Sequence, residues 1–487
     1  MPNLRVLIVS SEAFPFAKTG GLADAVAGLA EALSRQGNDV RVVLPRYYAI
    51  DRNNLHRLPE PLGVPVGPGE RWSAVFQTEN EARYYFLDHE ELFGRDGIYG
   101  PQGEESYTDN LSRFAFLCRG SLQLCRYLSW KPDVLHLHDW PGALVSVLLR
   151  GTDDYPDLAE VPAVLTVHNA RYQGIFSPED VGETGLSEET ARQLGVIADG
   201  NVNLLRAGAL YADTLTTVSP GYAEEVKRAP FGAGLESLFR FKGVTGILNG
   251  ADYNLWNPET DRHLPAAYST SDSSGKRAGK SGVLRRFGLP GDLRRPLVAM
   301  ISRLTEQKGF DLLTSGSPSL LERIAALPLN LIILGTGNPA YEAHIADLAA
   351  RRENVVGRFT FDDGLSHLFG AAADFFLMPS KWEPCGLSQI YALRYGTVPI
   401  VTKTGGLRDT VDDLSEDYSR GTGIVIPKLE PEGILEALRR ALALYQGPPG
   451  ALEALRKRCM EKRFTWDASA AGYFEVYEEA IRRSRRA

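Results

Sequence analysis

Cysteine is scarce in this chain: four residues among 487, at positions 118, 125, 385 and 459. No two form a CxxC pair, so the spacing encodes neither a zinc site nor a disulfide framework, and a reduced cytoplasm is the simplest compartment. Long apolar runs are also missing. The N-terminal Leu4–Ser10 is too brief for a signal h-region or a membrane span, and it reads as the first buried strand of a parallel sheet. Nothing later approaches a membrane-spanning length. Positive charge is in deficit as well, with a formal net charge of -8. That balance speaks against non-specific binding to nucleic acid or an anionic membrane, while leaving room for a small basic pocket that holds a phosphate group.

What is present is an ordinary globular composition, 44% hydrophobic and 23% charged. A chain of 487 residues exceeds what one core organises, so two large domains are expected. In the first half, strand-like Arg5–Ser10 leads to a helix with Leu22, Val26, Leu29 and Leu33 on one face. Gly37 stops that helix and Asp39–Leu44 supplies the next strand. Val134–His138, Ala163–His168 and Thr214–Val218 continue the series. The pattern restarts with Pro296–Ser302, Leu329–Leu334, Phe375–Met378 and Val398–Thr402, each trailed by a helical stretch. Strands alternating with helices predict an α/β chain with a doubly wound sheet in each half. Composition alone places the boundary in Ser269–Ser281, rich in Ser, Gly and Lys and without periodicity. The strand-like Val244–Leu248, ending in Asn249-Gly250, moves the expected boundary to about residue 244.

One motif occurs twice. Lys18-Thr19-Gly20-Gly21-Leu22-Ala23-Asp24-Ala25-Val26 returns as Lys403-Thr404-Gly405-Gly406-Leu407-Arg408-Asp409-Thr410-Val411, each copy between a strand and a helix start. Glycines there either make a tight strand-to-helix turn or let the backbone approach an anion at the helix N-terminus. Arg303 and Lys308 follow the strand Pro296–Ser302, at the carboxyl end where open α/β sheets bind ligands. They are either solvated loop cations or ligands of a diphosphate. Glu383 opens Glu383-Pro384-Cys385-Gly386-Leu387 ahead of a helix containing Ile390, Leu393 and Arg394. Its carboxylate suits sugar hydroxyls and equally suits a helix N-terminus. His136-Leu137-His138-Asp139-Trp140 holds an HxH pair on one strand face, the geometry of some zinc sites. The further ligands of a binuclear centre are missing at neighbouring spacing, so no metal is expected and Asp139 reads as a polar group at a ligand site. His168-Asn169 has the same placement, with a buried structural histidine as the alternative. Gly335-Thr336-Gly337-Asn338-Pro339-Ala340 fits a dinucleotide fingerprint and supports a rival reading as an NAD-dependent oxidoreductase, although it lies away from the opening strand of its half.

In order along the chain, Ser11-Glu12, Lys18–Asp24, His138-Asp139-Trp140, Thr166–Asn169, Thr217–Ala223, Ile247–Asp252, Ser302–Leu304, Lys308-Gly309, Glu383–Leu387 and Thr404–Leu407 resemble the bacterial and plant glycogen and starch synthases that use ADP-glucose. The resemblance runs over nearly the whole chain. It implies a GT-B fold, two Rossmann-like domains facing across a deep cleft, with an acceptor-side domain at 1–244, a donor domain at 245–464, and a C-terminal helix over 465–487 crossing back onto the first. It further implies that Lys18, Gly20 and Gly21 contact the donor, and that Asp139, His168 and Asn249 surround the transferred glucose. By the same resemblance Arg303 and Lys308 bind the donor diphosphate. Glu383, Cys385, Gly386 and Leu387, with Thr404 and Gly405, line the sugar and phosphate site, and Tyr99 serves the acceptor. Related retaining transferases carry a second glutamate eight positions after the first. Here Tyr391 stands there, as in bacterial glycogen synthases. Pro141 and Arg171 are the less usual residues after their motifs.

The implied reaction is a retaining transfer of glucose from ADP-glucose to the non-reducing end of an α-1,4-glucan such as glycogen, releasing ADP, with no metal and no cofactor beyond the nucleotide sugar. A UDP-glucose-using relative is the main competitor, and a non-catalytic glycan- or nucleotide-binding protein is the third reading. Neither nucleic acid nor membrane is an expected partner.

Overall fold

A computed structural model describes residues 3–66, 69–78, 82–101 and 106–485. By its internal contacts the chain divides into two compact units, residues 1–250 with 466–487, and residues 251–465.

The first unit is built on a mixed sheet. Its parallel part runs in the order Thr245–Gly246, Thr214–Thr217, Ala163–Val167, Val134–His138, Arg5–Val9, Asp39–Pro45, Arg83–Asp88. These strands are apolar and almost wholly buried because helices cover the sheet, the expected state of parallel strands. Antiparallel strands Gly69–Gln77, His56–Arg57 and Leu62–Val66 extend the far edge, an extension the alternating strand–helix pattern did not announce. Helix Gly21–Arg35 buries Leu22, Val26, Leu29 and Leu33, the stripe read from the sequence.

The expected boundary at residue 244 is corrected to 250/251. Thr245 and Gly246 pair in parallel with Thr216 and Thr217, which makes them the last strand of the first sheet. The C-terminal helix Trp466–Ser484 belongs to this same unit. Trp466, Ala470, Tyr473, Tyr477 and Ala480, at three- and four-residue spacing, form its buried face. The Ser469 hydroxyl donates to the Leu248 carbonyl at 2.6 Å, and the Tyr473 ring lies 5.1 Å from the His136 ring.

The second unit carries a six-stranded parallel sheet in the order Val355–Arg358, Asn330–Leu334, Leu297–Ile301, Phe375–Met378, Val398–Thr402, Ile424–Ile426. Numbered along the chain, that order is 3-2-1-4-5-6, the dinucleotide-binding (Rossmann) arrangement. The first unit's parallel strands repeat it with one strand more. In each sheet the strand order reverses between the first strand and the fourth, so ligand chemistry is expected at the carboxyl ends of Arg5–Val9 and Val134–His138 in one unit. In the other it is expected at Leu297–Ile301 and Phe375–Met378.

Ser269–Ser281 is not the featureless linker its composition suggested. Helix Ser274–Phe287 occupies most of it and buries Lys276 and Lys280. The Lys276 ammonium donates to the carbonyls of Ala371 and Tyr395 and to the Thr397 hydroxyl at 2.8, 3.0 and 2.7 Å, while Lys280 pairs with buried Asp374 at 2.7 Å. No disulfide joins the four buried cysteines. Among the described residues no helix is long and apolar enough to cross a membrane.

Candidate active site

The sequence-selected residues fall into two groups, each at the carboxyl edge of its own sheet. Lys18, Gly20, Gly21, Tyr99, Asp139, His168 and Asn249 belong to the first unit. Arg303, Lys308, Glu383, Cys385, Gly386, Leu387, Thr404 and Gly405 belong to the second.

In the first unit the organising side chain is Glu12, which lies in the Ser11-Glu12 motif and to which the resemblance assigns no role. Buried just beyond the opening strand, it accepts hydrogen bonds from the Thr19 backbone N–H at 2.6 Å, the Thr19 hydroxyl at 2.8 Å and the Tyr99 phenol at 2.9 Å. Tyr99 also meets the Ser11 hydroxyl at 2.8 Å. One carboxylate thus fixes both the Lys18–Gly20 turn and Tyr99, whose ring packs against Phe114 and Trp140. Burial raises the Glu12 pKa, and the donors of Thr19 and Tyr99, with the Gly20 backbone N–H, counter that. Lys18 pairs with Asp24 at 2.9 Å. Gly20 has an extended backbone, φ -164°, and a Cβ placed there meets no atom within 4 Å.

Asp139 sits at the junction of strand Val134–His138 and helix Asp139–Gly151 with φ 51°, a left-handed conformation uncommon outside glycine. Its Oδ1 accepts from the backbone N–H groups of His168 at 2.7 Å and Asn169 at 3.4 Å, tying two neighbouring strand ends together. Burial pushes its carboxyl up to about 7, opposed by those two N–H groups and reinforced by the nearby charge of Glu12. His138 Nδ1 and His168 Nε2 lie 2.8 Å apart. His136 bonds Thr166 through Nε2 at 2.6 Å and the Tyr477 hydroxyl through Nδ1 at 2.7 Å, so the HxH pair is engaged in protein hydrogen bonds. Burial drives His136 and His168 down to about 3, which keeps both imidazoles neutral. Asn249 is buried beyond the last strand of this sheet.

In the second unit three loops interlock. Lys308 donates to Glu383 Oε2 at 2.5 Å, and the same oxygen accepts from the Ser380 hydroxyl at 3.0 Å. An ammonium has three N–H donors, so this pair leaves Lys308 able to meet a further anion. Gln307 donates through Nε2 to the Trp382 carbonyl at 3.2 Å, and the Lys381 N–H donates back to the Gln307 carbonyl at 2.9 Å. Gln389, fully buried on the helix Ser388–Arg394, donates to the carbonyls of Cys385 and Gly386 and to the Thr410 hydroxyl at 3.1, 2.9 and 3.1 Å. The Gly406 N–H donates to the Glu383 carbonyl at 3.0 Å, which locks the second copy of the repeat beneath the Glu383–Leu387 loop. Arg303 is exposed at the same edge, after strand Leu297–Ile301.

The glycines of Gly335–Ala340 have a different use from a dinucleotide cradle. A Cβ at Gly335 falls 1.8 Å from the Ser302 carbonyl oxygen and one at Gly337 falls 2.2 Å from that of Leu304. The Leu304 N–H donates to the Thr336 carbonyl at 2.9 Å. This segment therefore braces the loop bearing Arg303, and the NAD-binding reading is set aside. Tyr391, where related transferases carry a second glutamate, stacks on Trp256 at 3.9 Å with an interplanar angle of 2°, and Trp256 stacks in turn on His367 at 3.8 Å. That position is filled by packing. Sequence reasoning missed Glu12, Ser380 and Gln389. The available signal was polarity out of place, Gln389 on the same short helix as buried Ile390 and Leu393, and Glu12 directly after an apolar strand.

Residues 5–241 match the family model of the starch synthase catalytic domain, and residues 285–462 match that of glycosyl transferases group 1. The glycogen synthase of Treponema denticola is 41% identical over 484 residues, covering 98% of this chain and 99% of that protein. The glycogen synthase of an Anaeromyxobacter species is 43% identical over 479 residues, covering 97% and 99%. The chain belongs to the glycogen and starch synthase family. As a member it is a glycosyltransferase of GT-B fold. The catalytic domain of starch synthase IV from Arabidopsis thaliana, solved bound to ADP and acarbose, superimposes with a TM-score of 0.89 at 32% identity, covering 99% of this chain and all of that one. A sucrose-phosphate synthase from Thermosynechococcus elongatus, 18% identical with a TM-score of 0.60, shares the fold alone.

Proposed function

We propose that the chain lengthens an α-1,4-glucan, glycogen or a similar polymer, by moving glucose from ADP-glucose to the non-reducing 4-hydroxyl with retention, releasing ADP. The observation that carries this reading is the Lys308–Glu383 pair, with Arg303 at the same edge, at the reversal point of the second sheet. A diphosphate leaving group needs fixed positive charge and N–H donors where negative charge builds up, and Arg303 and Lys308 supply them. Glu383, held by Lys308 and Ser380, accepts hydrogen bonds from sugar hydroxyls. The loop Cys385–Leu387, with Thr404 and Gly405 beneath it, lines the sugar and phosphate.

In the first unit Asp139, His168 and Asn249 surround the glucose under transfer, Lys18 with Gly20 and Gly21 contacts the donor, and Tyr99 serves the acceptor. No side chain is assigned as a covalent nucleophile. The departing phosphate oxygen takes the acceptor's proton on the face it leaves, and catalysis rests on positioning and leaving-group electrostatics. No cofactor beyond the nucleotide sugar is required. A relative solved with ADP and acarbose supports the donor and acceptor classes.

The test is glucan extension by the purified chain with glycogen and either ADP-glucose or UDP-glucose, followed by nucleotide release. Faster extension from ADP-glucose is expected. Faster extension from UDP-glucose overturns the donor, and extension from neither overturns the activity.

A further inference from the structure

The HxH pair that resembles a metal motif has a second partner-making member, His138, to which the proposed reaction assigns nothing. His138 is 1% exposed. Its Nδ1 lies 2.8 Å from His168 Nε2, and its own Nε2 is buried without any hydrogen-bond partner among the described residues. Two neutral imidazoles in contact through one nitrogen each have two possible proton arrangements. If His168 donates from Nε2, His138 must carry its proton on Nε2, where the N–H is buried and unanswered. If His138 donates from Nδ1, the buried Nε2 is a bare acceptor. An orphaned buried N–H is the rarer and costlier of the two defects. We infer that His138 donates from Nδ1 to His168 Nε2 and thereby fixes His168 as the tautomer protonated on Nδ1, so that His168 presents an N–H, and no lone pair, to whatever binds at the first unit's sheet edge.

The surroundings reinforce this. His136, tilted 39° against His138 with ring centroids 4.2 Å apart, spends both nitrogens on Thr166 and Tyr477 and offers His138 Nε2 no acceptor. Burial holds His138 far below its usual pKa, so a doubly protonated ring is excluded. His168 is the half-buried member of the pair, and Nδ1 is the nitrogen it has left. A neutral Nδ1–H donates to a sugar hydroxyl, a carbonyl or a phosphate oxygen, and it does not abstract a proton. His138 is then a positioning residue, acting through His168. The consequence for glucosyl transfer rests on the function proposed above, whereas the tautomer does not.

The tautomer is read directly from the two-bond nitrogen–proton correlation spectrum of the full chain labelled with ¹⁵N at histidine, with His168 assigned by its loss in His168→Asn. The expected pattern is a protonated Nδ1 and a bare Nε2 for His168. A protonated His168 Nε2 overturns the inference. Its kinetic consequence is tested with His138→Leu, which removes the donor, and His138→Asn, whose amide N–H stands where the imidazole Nδ1–H stood. In the ADP-glucose and glycogen assay His138→Leu is expected to lose about 10–100-fold in kcat, as for loss of an orienting partner of a functional histidine, and His138→Asn to recover most of it. Full activity in His138→Leu, or no recovery in His138→Asn, overturns the positioning role. A chain showing the expected tautomer but extending no glucan would uphold this assignment while removing the proposed function.

Discussion

Lys18–Val26 in the first unit and Lys403–Val411 in the second begin alike, with Lys-Thr-Gly-Gly-Leu ahead of a helix, yet they are held in opposite ways. In the second copy, Gly405 has φ 39°, and a Cβ there would stand 2.1 Å from the Glu383 carbonyl oxygen. One at Gly406 would stand 2.2 Å from that of Cys385. Those glycines exist because backbone meets backbone. In the first copy, Gly20 is extended, and a Cβ would enter open space. The turn's fixation comes instead from Glu12, through Thr19. The folded chain therefore requires both glycines in the second copy and leaves room for a side chain at Gly20 in the first. A motif shared by two regions carries a packing reason in one, and in the other its first glycine borders open space.

Four expectations sharpen this contrast. The largest concerns charge at the second edge: Arg303→Ala or Lys308→Ala should lower the steady-state rate of ADP release about 10²–10³-fold, the size of losing one oxyanion donor. Arg303→Ala should do so with an unchanged melting temperature, since Arg303 is exposed. A variant turning over at the wild-type rate would remove Arg303 or Lys308 from the chemistry. Next is the first edge's titrating carboxyl. Burial raises Asp139 from 3.8 to about 7, so the folded chain binds more protons than the unfolded one within that window. Its contribution to stability is complete below pH 4 and is lost as pH rises through about 7, on the order of a few kcal/mol. Asp139→Asn keeps an acceptor for the His168 N–H and abolishes the titration. Unfolding measured across this range should show the variant gaining on the wild type as pH rises, and parallel curves would contradict the burial effect.

Gly406→Ala should cost about 1–3 kcal/mol by overpacking, read by denaturant unfolding, and should reduce transfer because it displaces the Glu383–Cys385 backbone. The smallest effect is Tyr391→Leu, which removes one ring from the Trp256 stack and should cost about 1 kcal/mol beyond lost area, with the second unit's melting as the readout.

Most of the parallel strands were legible, because strands buried on both faces read as apolar runs; Val134–His138, Phe375–Met378 and Val398–Thr402 fall on theirs. Arg83–Asp88, Val355–Arg358 and Ile424–Ile426, at the ends of the parallel runs, were not read. Helix Ser274–Phe287 was not legible, because Val283 and Leu284 join the core only in its second half, while the long buried side chains of its first half are Lys276 and Lys280, whose burial is decided by carbonyls and a carboxylate far along the chain. The antiparallel strands at 56–77 were missed for a related reason. They extend a sheet edge and carry little of the buried apolar signal. At the candidate site, motif residues that follow a strand were readable from position alone. Their holders were not, since Glu12 reaches Tyr99 and Gln389 reaches Thr410 far along the chain, partners that no local pattern encodes, while Ser380 meets Glu383 within one loop.

On the function proposed above, Gly20 in the first turn makes room for the donor, whereas Gly405 and Gly406 in the second serve the fold. This contrast is tested most directly by making Gly20→Ala and measuring glycogen extension from ADP-glucose beside thermal unfolding of the same sample. The result predicted is an unchanged melting temperature with transfer reduced about tenfold or more, the size expected when reacting groups are displaced. Wild-type transfer at an unchanged melting temperature would contradict it, as would a lowered melting temperature that accounts for the loss.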